Sequence, residues 1–462
     1  MSLWLRSLIS PGRTVVSDLD KAPAGRLRCM LADVLCTLRE ASGYSLLTAV
    51  GLALGFLREL TIASTFGLSP QLDVFIAVMS IQLFFGAQVG NALETAFISR
   101  VAKGGGPDTV SRAVKPALYG LLLVNLGVVL FLLGSAGLLV STMFPRFDAA
   151  QEALGVRTVH FLTAPVVFAS TAGLLRGALS VLGAFAPGFM AGSIISLCSI
   201  LSVTLGAERL GIDALTLGVA MGNVLVMILF AFQFVRLNPL AAVETRPAVR
   251  DGWFLLWGAA GTILVGELIF AVVAVTERSL ASWLPSGSIA GFFYANAIVF
   301  VPLSLLVMPL TTMAFPRMVE AFGQSRSTGL AILRKQGLLL LAVSVMVVAV
   351  VSAFSETIVE LVYVRGKFSL DHAHFTASIL SVTVWALPFM SLGRVFRNSC
   401  YALSDYRTPV VGLIMQWFLL AGLGAVLIPR IGVQGLAFAI VTGEAATSVT
   451  MGSRLAIALR NA

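Results

Sequence analysis

Charge is what this sequence has least of. Of its 462 residues, 11% are charged and 58% are apolar, whereas a soluble domain carries about 25% charged and about 45–50% apolar residues. So few polar side chains cannot cover the surface of a globule of this size, which excludes an ordinary soluble enzyme. The mean hydropathy of +0.95 also excludes a disordered chain. The composition is that of a protein that crosses a membrane many times.

Cysteine and histidine are also scarce, with four and three copies. Cys29, Cys36, Cys198 and Cys400 form no CxxC pair, which excludes a disulfide scaffold and a cysteine zinc site. The histidines form no ligand cluster, and the chain has neither a nucleophile triad nor a P-loop. We therefore expect no enzymatic activity, no metal and no cofactor, so uphill transport would draw on an ion gradient or the membrane potential.

Long apolar segments account for most of the chain. A helix needs roughly 20 mostly apolar residues to cross a bilayer, and no alternating pattern indicates a membrane β-barrel. The sequence predicts an all-α polytopic membrane protein with about 12 transmembrane helices. The predicted spans are 42–66, 74–100, 115–142, 157–181, 187–206, 212–236, 253–283, 287–314, 335–363, 374–399, 408–428 and 432–456. In the eighth span, Pro302, Pro309 and Pro316 recur every seven residues and are expected to bend the helix.

The distribution of Lys and Arg along the chain predicts the orientation of the spans in the membrane. The formal net charge is +9, but the Lys and Arg excess falls in alternate inter-span segments, as the positive-inside rule requires. We therefore expect cytoplasmic termini and no nucleic-acid partner. The polar stretch 237–252 would separate two parallel lobes of about six helices each, although no residue-level repeat is evident between them. The predicted regions are 1–41 as a cytoplasmic arm, 42–236 as the N-terminal lobe, 237–252 as a cytoplasmic loop, 253–456 as the C-terminal lobe and 457–462 as a cytoplasmic tail.

Ionisable side chains inside predicted spans are costly and mark functional sites. Arg58 lies well inside the first span, where its guanidinium could clamp a phosphate or carboxylate, or serve as a snorkelling or structural group. The adjacent Glu59 projects about 100° away around a helix, so we do not expect it to pair directly with Arg58. Glu267 lies at a comparable depth in the second lobe. It could bind a proton or Na⁺, pair with Arg58 in one conformation, or be a protonated structural group.

Several local motifs occur in a fixed order. They are Gly55-Phe-Leu-Arg58-Glu59 with Phe66-Gly67 and Asp73-Val-Phe75, then Glu277-Arg278 with Gly287-Ser288 and Tyr294-Ala295-Asn296, then Val364-Arg365-Gly366-Lys367-Phe368, then Tyr401 to Pro409, and finally Gly432-Val-Gln-Gly435. Together they resemble the MviN/MurJ family of lipid-linked oligosaccharide flippases. The broader group includes polysaccharide exporters and multidrug extrusion proteins, and the resemblance covers roughly residues 44 to 456.

The resemblance implies a transporter of the bacterial inner membrane that moves an undecaprenyl-pyrophosphate-linked glycan to the outer leaflet by alternating access. Arg58 would neutralise the diphosphate. The residues expected in coupling or gating are Glu59, Asp73, Glu267, Glu277 and Arg278. The expected partners are the lipid-linked glycan, membrane lipids and the glycosyltransferases of a polysaccharide pathway.

The sequence departs from the family members that move the peptidoglycan precursor. Those members carry extra arginines at positions that are here Leu52, Gly86 and Ala297, and they have two more spans. We therefore expect a different lipid-linked saccharide, such as one for exopolysaccharide export.

Two other function classes stay open. One is a proton- or Na⁺-coupled multidrug exporter, in which Glu267 would dominate and Arg58 would be structural. The other is a non-transporting scaffold for a polysaccharide synthase. A major-facilitator sugar transporter is disfavoured, because its basic loop between the second and third spans is absent from 101–109.

The predicted topology can be measured with reporter fusions. Fusions at Asp148, Pro247 and Asp371 should report outside, inside and outside respectively. An outside signal at Pro247 would contradict the two-lobe arrangement.

Overall fold

The fold is helical throughout the part of the chain that can be described. The computed structural model describes residues 47–101, 107–237, 249–403 and 405–461. The predicted arm 1–41 and most of the 237–252 loop lie outside those ranges. Over the described residues there is no β-strand, and the only bridge is an isolated one between Arg365 and Phe368. The predicted all-α fold is confirmed.

The helices are numbered here in chain order. They are α1 Leu47–Phe66, α2 Pro70–Gln82, α3 Gln88–Val101, α4 Pro107–Met143, α5 Ala149–Val181, α6 Ala186–Leu210, α7 Asp213–Leu237, α8 Val249–Ala281, α9 Ser288–Pro302, α10 Met308–Gln324, α11 Arg326–Ala353, α12 Ser355–Tyr363, α13 Leu370–Thr383, α14 Ala386–Ala402, α15 Arg407–Ile431 and α16 Val433–Asn461. Short π-helical segments join α2 to α3 and α9 to α10.

The long helices make this a multi-pass membrane protein. Among the described residues, 9 helices are long and apolar enough to cross a membrane, or 10 if α13 and α14, bent by 43°, form one span. Two further predicted spans fall in α8 and α16, so the structure is compatible with about twelve. The predicted span 335–363 has different boundaries. Its helix starts earlier, where the Ser325 side chain accepts a hydrogen bond from the Thr328 N–H, and the short helix α12 is separate.

Many of these helices are apolar on all sides. Leu123 in α4 is 71% exposed and Leu205 in α6 is 83% exposed. In water such exposure would be costly, at about 25 cal/mol per Å² of apolar surface. A helix that is apolar all round is normal where lipid covers its outer face. The exposed leucines therefore mark lipid-facing surface.

The same local features recur in the two halves of the chain. The π-helical segments Leu83–Ala87 and Leu303–Val307 start 220 positions apart. Helix α6 ends at Gly211 with φ 59° and ψ −133°, and α15 ends at Gly432 with φ 58° and ψ −132°, 221 positions later. The second π-helical segment begins directly after Pro302, where the prolines predicted a bend. Recurrence at a constant separation is what a parallel internal repeat produces.

Two compact units interleave along the chain. Among the described residues, the first contains 47–61, Phe85–Leu132 and Phe161–Leu264, and the second contains Ile62–Phe84, Leu133–His160 and 265–461. The lobes predicted from sequence follow a different division, at 237–252, and stay a prediction.

The first unit has a continuous apolar core. Leu93 and Phe97 from α3 pack in the same buried cluster as Leu121 from α4, Leu174 from α5 and Phe230 from α7. Each of these side chains is at most 1% exposed. Burying a large apolar side chain stabilises a fold by roughly 1.5–3 kcal/mol, so this cluster fixes the relative positions of these four helices.

In the second unit, a tight turn docks on the end of α1. Gly366 has φ 56°, and the Lys367 N–H donates a hydrogen bond of 2.7 Å to the Ser64 carbonyl oxygen. A Cβ atom on Gly366 would lie 2.2 Å from that oxygen. Only glycine fits both the left-handed backbone and this close approach.

Buried aromatic rings hold the same turn from the other side. Phe368 lies 5.5 Å, between ring centroids, from both Tyr294 and Tyr363, and the two tyrosine rings are 4.9 Å apart. All three side chains are at most 1% exposed. Ring pairs at such separations stabilise a fold by about 0.5–1.5 kcal/mol beyond their area burial. The turn is therefore a rigid part of the second unit.

The motif ending at Pro409 forms a helix start. The Asp405 carboxylate accepts hydrogen bonds from the Arg407 and Thr408 N–H groups at 3.0 and 3.1 Å, at the beginning of α15. Burial acts to raise the pKa of Asp405. The hydrogen bonds from Thr408 and Arg407 and the charge of Arg454 outweigh it and hold the pKa below its ordinary value.

Gly366→Ala should destabilise the protein by about 1–3 kcal/mol, because it combines backbone strain with a steric clash at Ser64. The measurement is the thermal melting temperature of purified protein in detergent. Gly134→Ala is the matched control, since Gly134 lies in α4 with no atom within 4 Å of an added Cβ. Equal melting temperatures for the two variants would contradict the role given to the turn.

Candidate substrate and gating residues

Asp73 is a buried carboxylate that caps a helix belonging to the other half of the sequence. It is 3% exposed, and its Oδ2 and Oδ1 atoms accept hydrogen bonds from the N–H groups of Gly287 at 2.5 Å and Ala290 at 2.7 Å. Gly287 precedes α9 and has no side chain with which to cap it. The first N–H groups of a helix lack partners within the helix and carry partial positive charge, so a carboxylate there is strongly favoured.

The segments that meet around Asp73 come from three predicted outer loops. Residues 66–73 follow the first predicted span, 281–290 follow the seventh and 364–370 follow the ninth. Within the second unit, the Asp73 cap and the Gly366 turn join these segments. The structure places Asp73 at a contact between sequence-distant helices, and its expected role in gating stays a prediction.

Arg58 pairs with Glu59, which corrects the expectation that the two would not interact. The Arg58 Nε and Nη2 atoms donate hydrogen bonds to Glu59 Oε1 at 3.1 and 2.5 Å. Both side chains are long and flexible, so they bend towards each other although their Cβ atoms diverge around the helix. The Arg58 side chain is 31% exposed, whereas Glu59 Oε2 is buried and has no hydrogen-bond partner among the described residues. The pair is therefore close to neutral, with guanidinium N–H groups left over.

Glu267 lies half-buried on α8 in the second unit, where it interacts electrostatically with Tyr401 of α14. In this conformation the acid that holds Arg58 is Glu59. The roles of Glu267 as a coupling residue and as an alternative partner of Arg58 stay predictions.

Glu277 and Arg278 form a second adjacent charged pair. Glu277 Oε1 accepts a 3.0 Å hydrogen bond from the Asn296 side chain, and Arg278 Nη1 donates one of 3.0 Å to the Ala274 carbonyl. The opposite charges of Glu277 and Arg278 attract each other. Arg278 lies 220 positions after Arg58, the separation of the π-helical segments. Each half therefore carries an arginine beside a glutamate at the same point of the repeat.

The first unit contains an ion pair that was not predicted from the sequence. Arg176 of α5 donates a 2.7 Å hydrogen bond from Nε to Glu94 of α3, and Nη2 contacts both Glu94 and, at 3.1 Å, the Asn91 oxygen. Arg176 lies within the predicted span 157–181, so its position alone marked it as a group that needs a partner.

Across the part of the chain that the structure describes, no three His, Cys, Asp or Glu side chains converge as metal ligands.

A polar cavity in the second unit was also missed. Arg394 and Arg397 lie near the end of the predicted span 374–399, at its predicted cytoplasmic side, and no function was predicted for them from the sequence. The structure places both within α14, where they line a cavity of about 170 Å³ together with residues of α10. Its lining residues are Thr311, Thr312, Phe315, Arg394, Arg397 and Asn398.

The matching family profile and the similar relatives all point to the same protein family. The sequence profile of the lipid II flippase MurJ family matches residues 62–458. A probable lipid II flippase MurJ of Bdellovibrio bacteriovorus is 25% identical over 397 residues, which covers 83% of this chain and 75% of that protein. The lipid II flippase MurJ of Burkholderia cenocepacia is 25% identical over 435 residues, covering 90% and 82%.

Solved structures show the same fold. A lipid II flippase MurJ in an inward closed conformation superposes with a TM-score of 0.78 at 16% identity, covering 89% of this chain and 87% of that one. An inward-facing multidrug resistance MATE transporter of the MOP superfamily gives 0.75 at 13% identity, covering 89% and 98%. The profile match spans most of the sequence and agrees with the motifs described above. The chain therefore belongs to the lipid II flippase MurJ family, a family of transporters rather than of enzymes.

Proposed function

We propose that the protein moves a polyprenyl-diphosphate-linked glycan from the inner to the outer leaflet by alternating access. The observation that carries this proposal is the Asp73 cap on α9, which links sequence-distant helices at the predicted outer face. The link consists of two hydrogen bonds to backbone N–H groups and contains no buried ion pair. A contact of this kind, worth about 1.5–3 kcal/mol per hydrogen bond to a charged group, can break and re-form during a transport cycle.

The peptidoglycan precursor is the leading substrate. The relatives described above are named lipid II flippases, and this favours lipid II over the exopolysaccharide precursor expected from Leu52, Gly86 and Ala297. One of those departures has a steric basis in the structure. A Cβ on Gly86 would lie 3.0 Å from the Val166 Cα, so an arginine there would force α5 away. The exopolysaccharide precursor is the second candidate, because those three positions lack a cation.

Arg58 is the proposed diphosphate contact. Its guanidinium has five N–H donors, and two of them are used by Glu59 Oε1. The remaining N–H groups and the 31% exposure of the side chain leave room for a phosphoryl oxygen. Glu59 would hold the guanidinium in place while the site is empty and share it when the substrate binds.

The competing function is a cation-coupled multidrug exporter. The MATE structures share only the fold with this chain, at 13–15% identity, so they carry no argument about its substrate. Glu267 is the residue that separates the two functions, because an exporter of this kind would need Glu267 to exchange a proton or a cation.

With both termini in the cytoplasm, glycosyltransferases that complete the glycan at the inner face are the expected partners.

The function can be tested in proteoliposomes that contain fluorescent lipid II. The wild-type protein should move the label between leaflets, and Arg58→Ala should reduce the rate at least tenfold. Arg58→Lys should retain part of the activity, because lysine keeps the charge but loses the planar fork.

Arg334→Gln is the control in this assay, since it removes one exposed cation from α11. Unchanged transport by a folded Arg58→Ala protein would refute the role of Arg58. Transport of an undecaprenyl-diphosphate-linked exopolysaccharide unit in place of lipid II would select the second substrate. Movement of neither lipid would contradict the proposed function.

Glu267→Gln distinguishes the flippase from the exporter. The amide keeps shape and hydrogen bonding but cannot exchange a proton, so we expect lipid transport within about threefold of wild type and a changed pH dependence at most. The measurement is the initial transport rate between pH 6 and 8. Complete loss of lipid transport in a stably inserted Glu267→Gln protein would move the functional centre to the second lobe.

A further inference from the structure

The cavity between α10 and α14 has the chemistry of an anion site. Arg394 and Arg397 are three positions apart on α14 and therefore project from the same face of the helix. Thr312 contributes an exposed hydroxyl group from α10, whereas the buried Thr311 hydroxyl donates to the Val307 and Met308 carbonyl oxygens. The Asn398 side chain donates a 3.2 Å hydrogen bond to the Thr311 carbonyl, which fixes the two helices together.

Neither guanidinium is neutralised at close range. Over residues 47–101, 107–237, 249–403 and 405–461, no carboxylate lies within 4.0 Å of Arg394 or Arg397. The two groups repel each other, and Glu444 of α16 attracts both from a longer distance. Glu444 is itself held by a 2.7 Å hydrogen bond from Gln416. Two half-buried like charges with no carboxylate within 4.0 Å among the described residues attract an anion.

In the first half of the chain, the arginine at the position that corresponds to Arg397 is paired with an acid. Arg176 lies 221 positions before Arg397, and Asn91 lies 220 positions before Thr311, the separations that define the repeat. In the first half, Glu94 pairs with Arg176. The position 220 residues after Glu94 is Ala314. The second half therefore keeps the cation of this arrangement and lacks its acid.

We propose that Arg394 and Arg397, with Thr311, Thr312 and Asn398, form a phosphoryl-binding subsite that receives the diphosphate of the lipid-linked substrate at the inner face. This inference rests on the proposed function for the identity of the ligand. Two guanidinium groups and the Thr312 hydroxyl suit a tetrahedral oxyanion, because arginine binds phosphate through paired N–H donors.

The size and position of the cavity agree with this ligand. Its volume of about 170 Å³ equals that of about six water molecules at ~30 Å³ each, which is enough for one phosphoryl group. The predicted topology places the ends of the eighth and tenth spans, and with them both arginines, at the inner face, where a lipid-linked precursor is made. The subsite would load the substrate before Arg58 contacts it.

The test measures binding to the purified full-length protein in nanodiscs. Farnesyl diphosphate is the lipid-linked probe, inorganic pyrophosphate the free-anion probe and farnesol the probe without phosphate. Arg394→Gln and Arg397→Gln should each weaken farnesyl diphosphate about ten- to hundredfold and leave farnesol unchanged. Arg397→Lys should lie between wild type and Arg397→Gln. Arg334→Gln removes the same charge outside the cavity and should have no effect.

The outcomes separate this inference from the proposed function. Equal diphosphate affinity in wild type and both glutamine variants overturns the subsite, even if the wild type transports lipid II. Arginine-dependent diphosphate binding supports it, even if no lipid is transported. Loss of farnesol and farnesyl diphosphate binding in equal proportion shows a structural role and overturns the inference. Equal arginine dependence for pyrophosphate identifies the phosphoryl group as the recognised part, whereas dependence for farnesyl diphosphate alone adds a requirement for the lipid.

Discussion

The carboxylate of Asp73 on the first N–H groups of α9 is the contact on which the second unit depends. Removal of that carboxylate would leave helix N–H groups buried without partners, at a cost of about 1–3 kcal/mol each. The contact joins a helix near the start of the described chain to one that begins more than two hundred residues later. The Gly366 turn and the aromatic rings of Tyr294, Tyr363 and Phe368 pack around the same place. A single side chain thus sets how these sequence-distant segments meet.

Two buried or half-buried arginines of this protein form close ion pairs with glutamates. Arg58 is held by Glu59, and Arg176 by Glu94. An unpaired ion is costly at low dielectric, and these two arginines each have an acid nearby. Arg394 and Arg397 differ, because no carboxylate of the described residues lies within 4.0 Å of either guanidinium. The proposed phosphoryl-binding subsite needs such a pair of cations, since the cost of keeping the charges is recovered when an anion binds.

Several of these arginines occupy positions that are related by a constant separation in the sequence. The π-helical segments, the glycine-terminated helices and the arginines beside glutamates recur at separations of 220 or 221 residues. This constant separation allows positions in one half to be compared with positions in the other. Arg397 lies 221 positions after Arg176, whereas Ala314 stands 220 positions after Glu94, the partner of Arg176.

The sequence by itself determined the class of this protein, its predicted spans and the residues worth testing, because low charge and long apolar runs are properties of composition. It also placed Asp73 and Arg58 among the functional candidates. Only the tertiary structure decided what those residues touch. In the structure, the Glu59 carboxylate accepts hydrogen bonds from Arg58, and the Asp73 carboxylate accepts hydrogen bonds from the backbone of α9. Arg394 and Thr311 line the same cavity. Contacts between residues far apart in sequence depend on helix packing and side-chain rotamers, and neither is encoded in a hydropathy pattern.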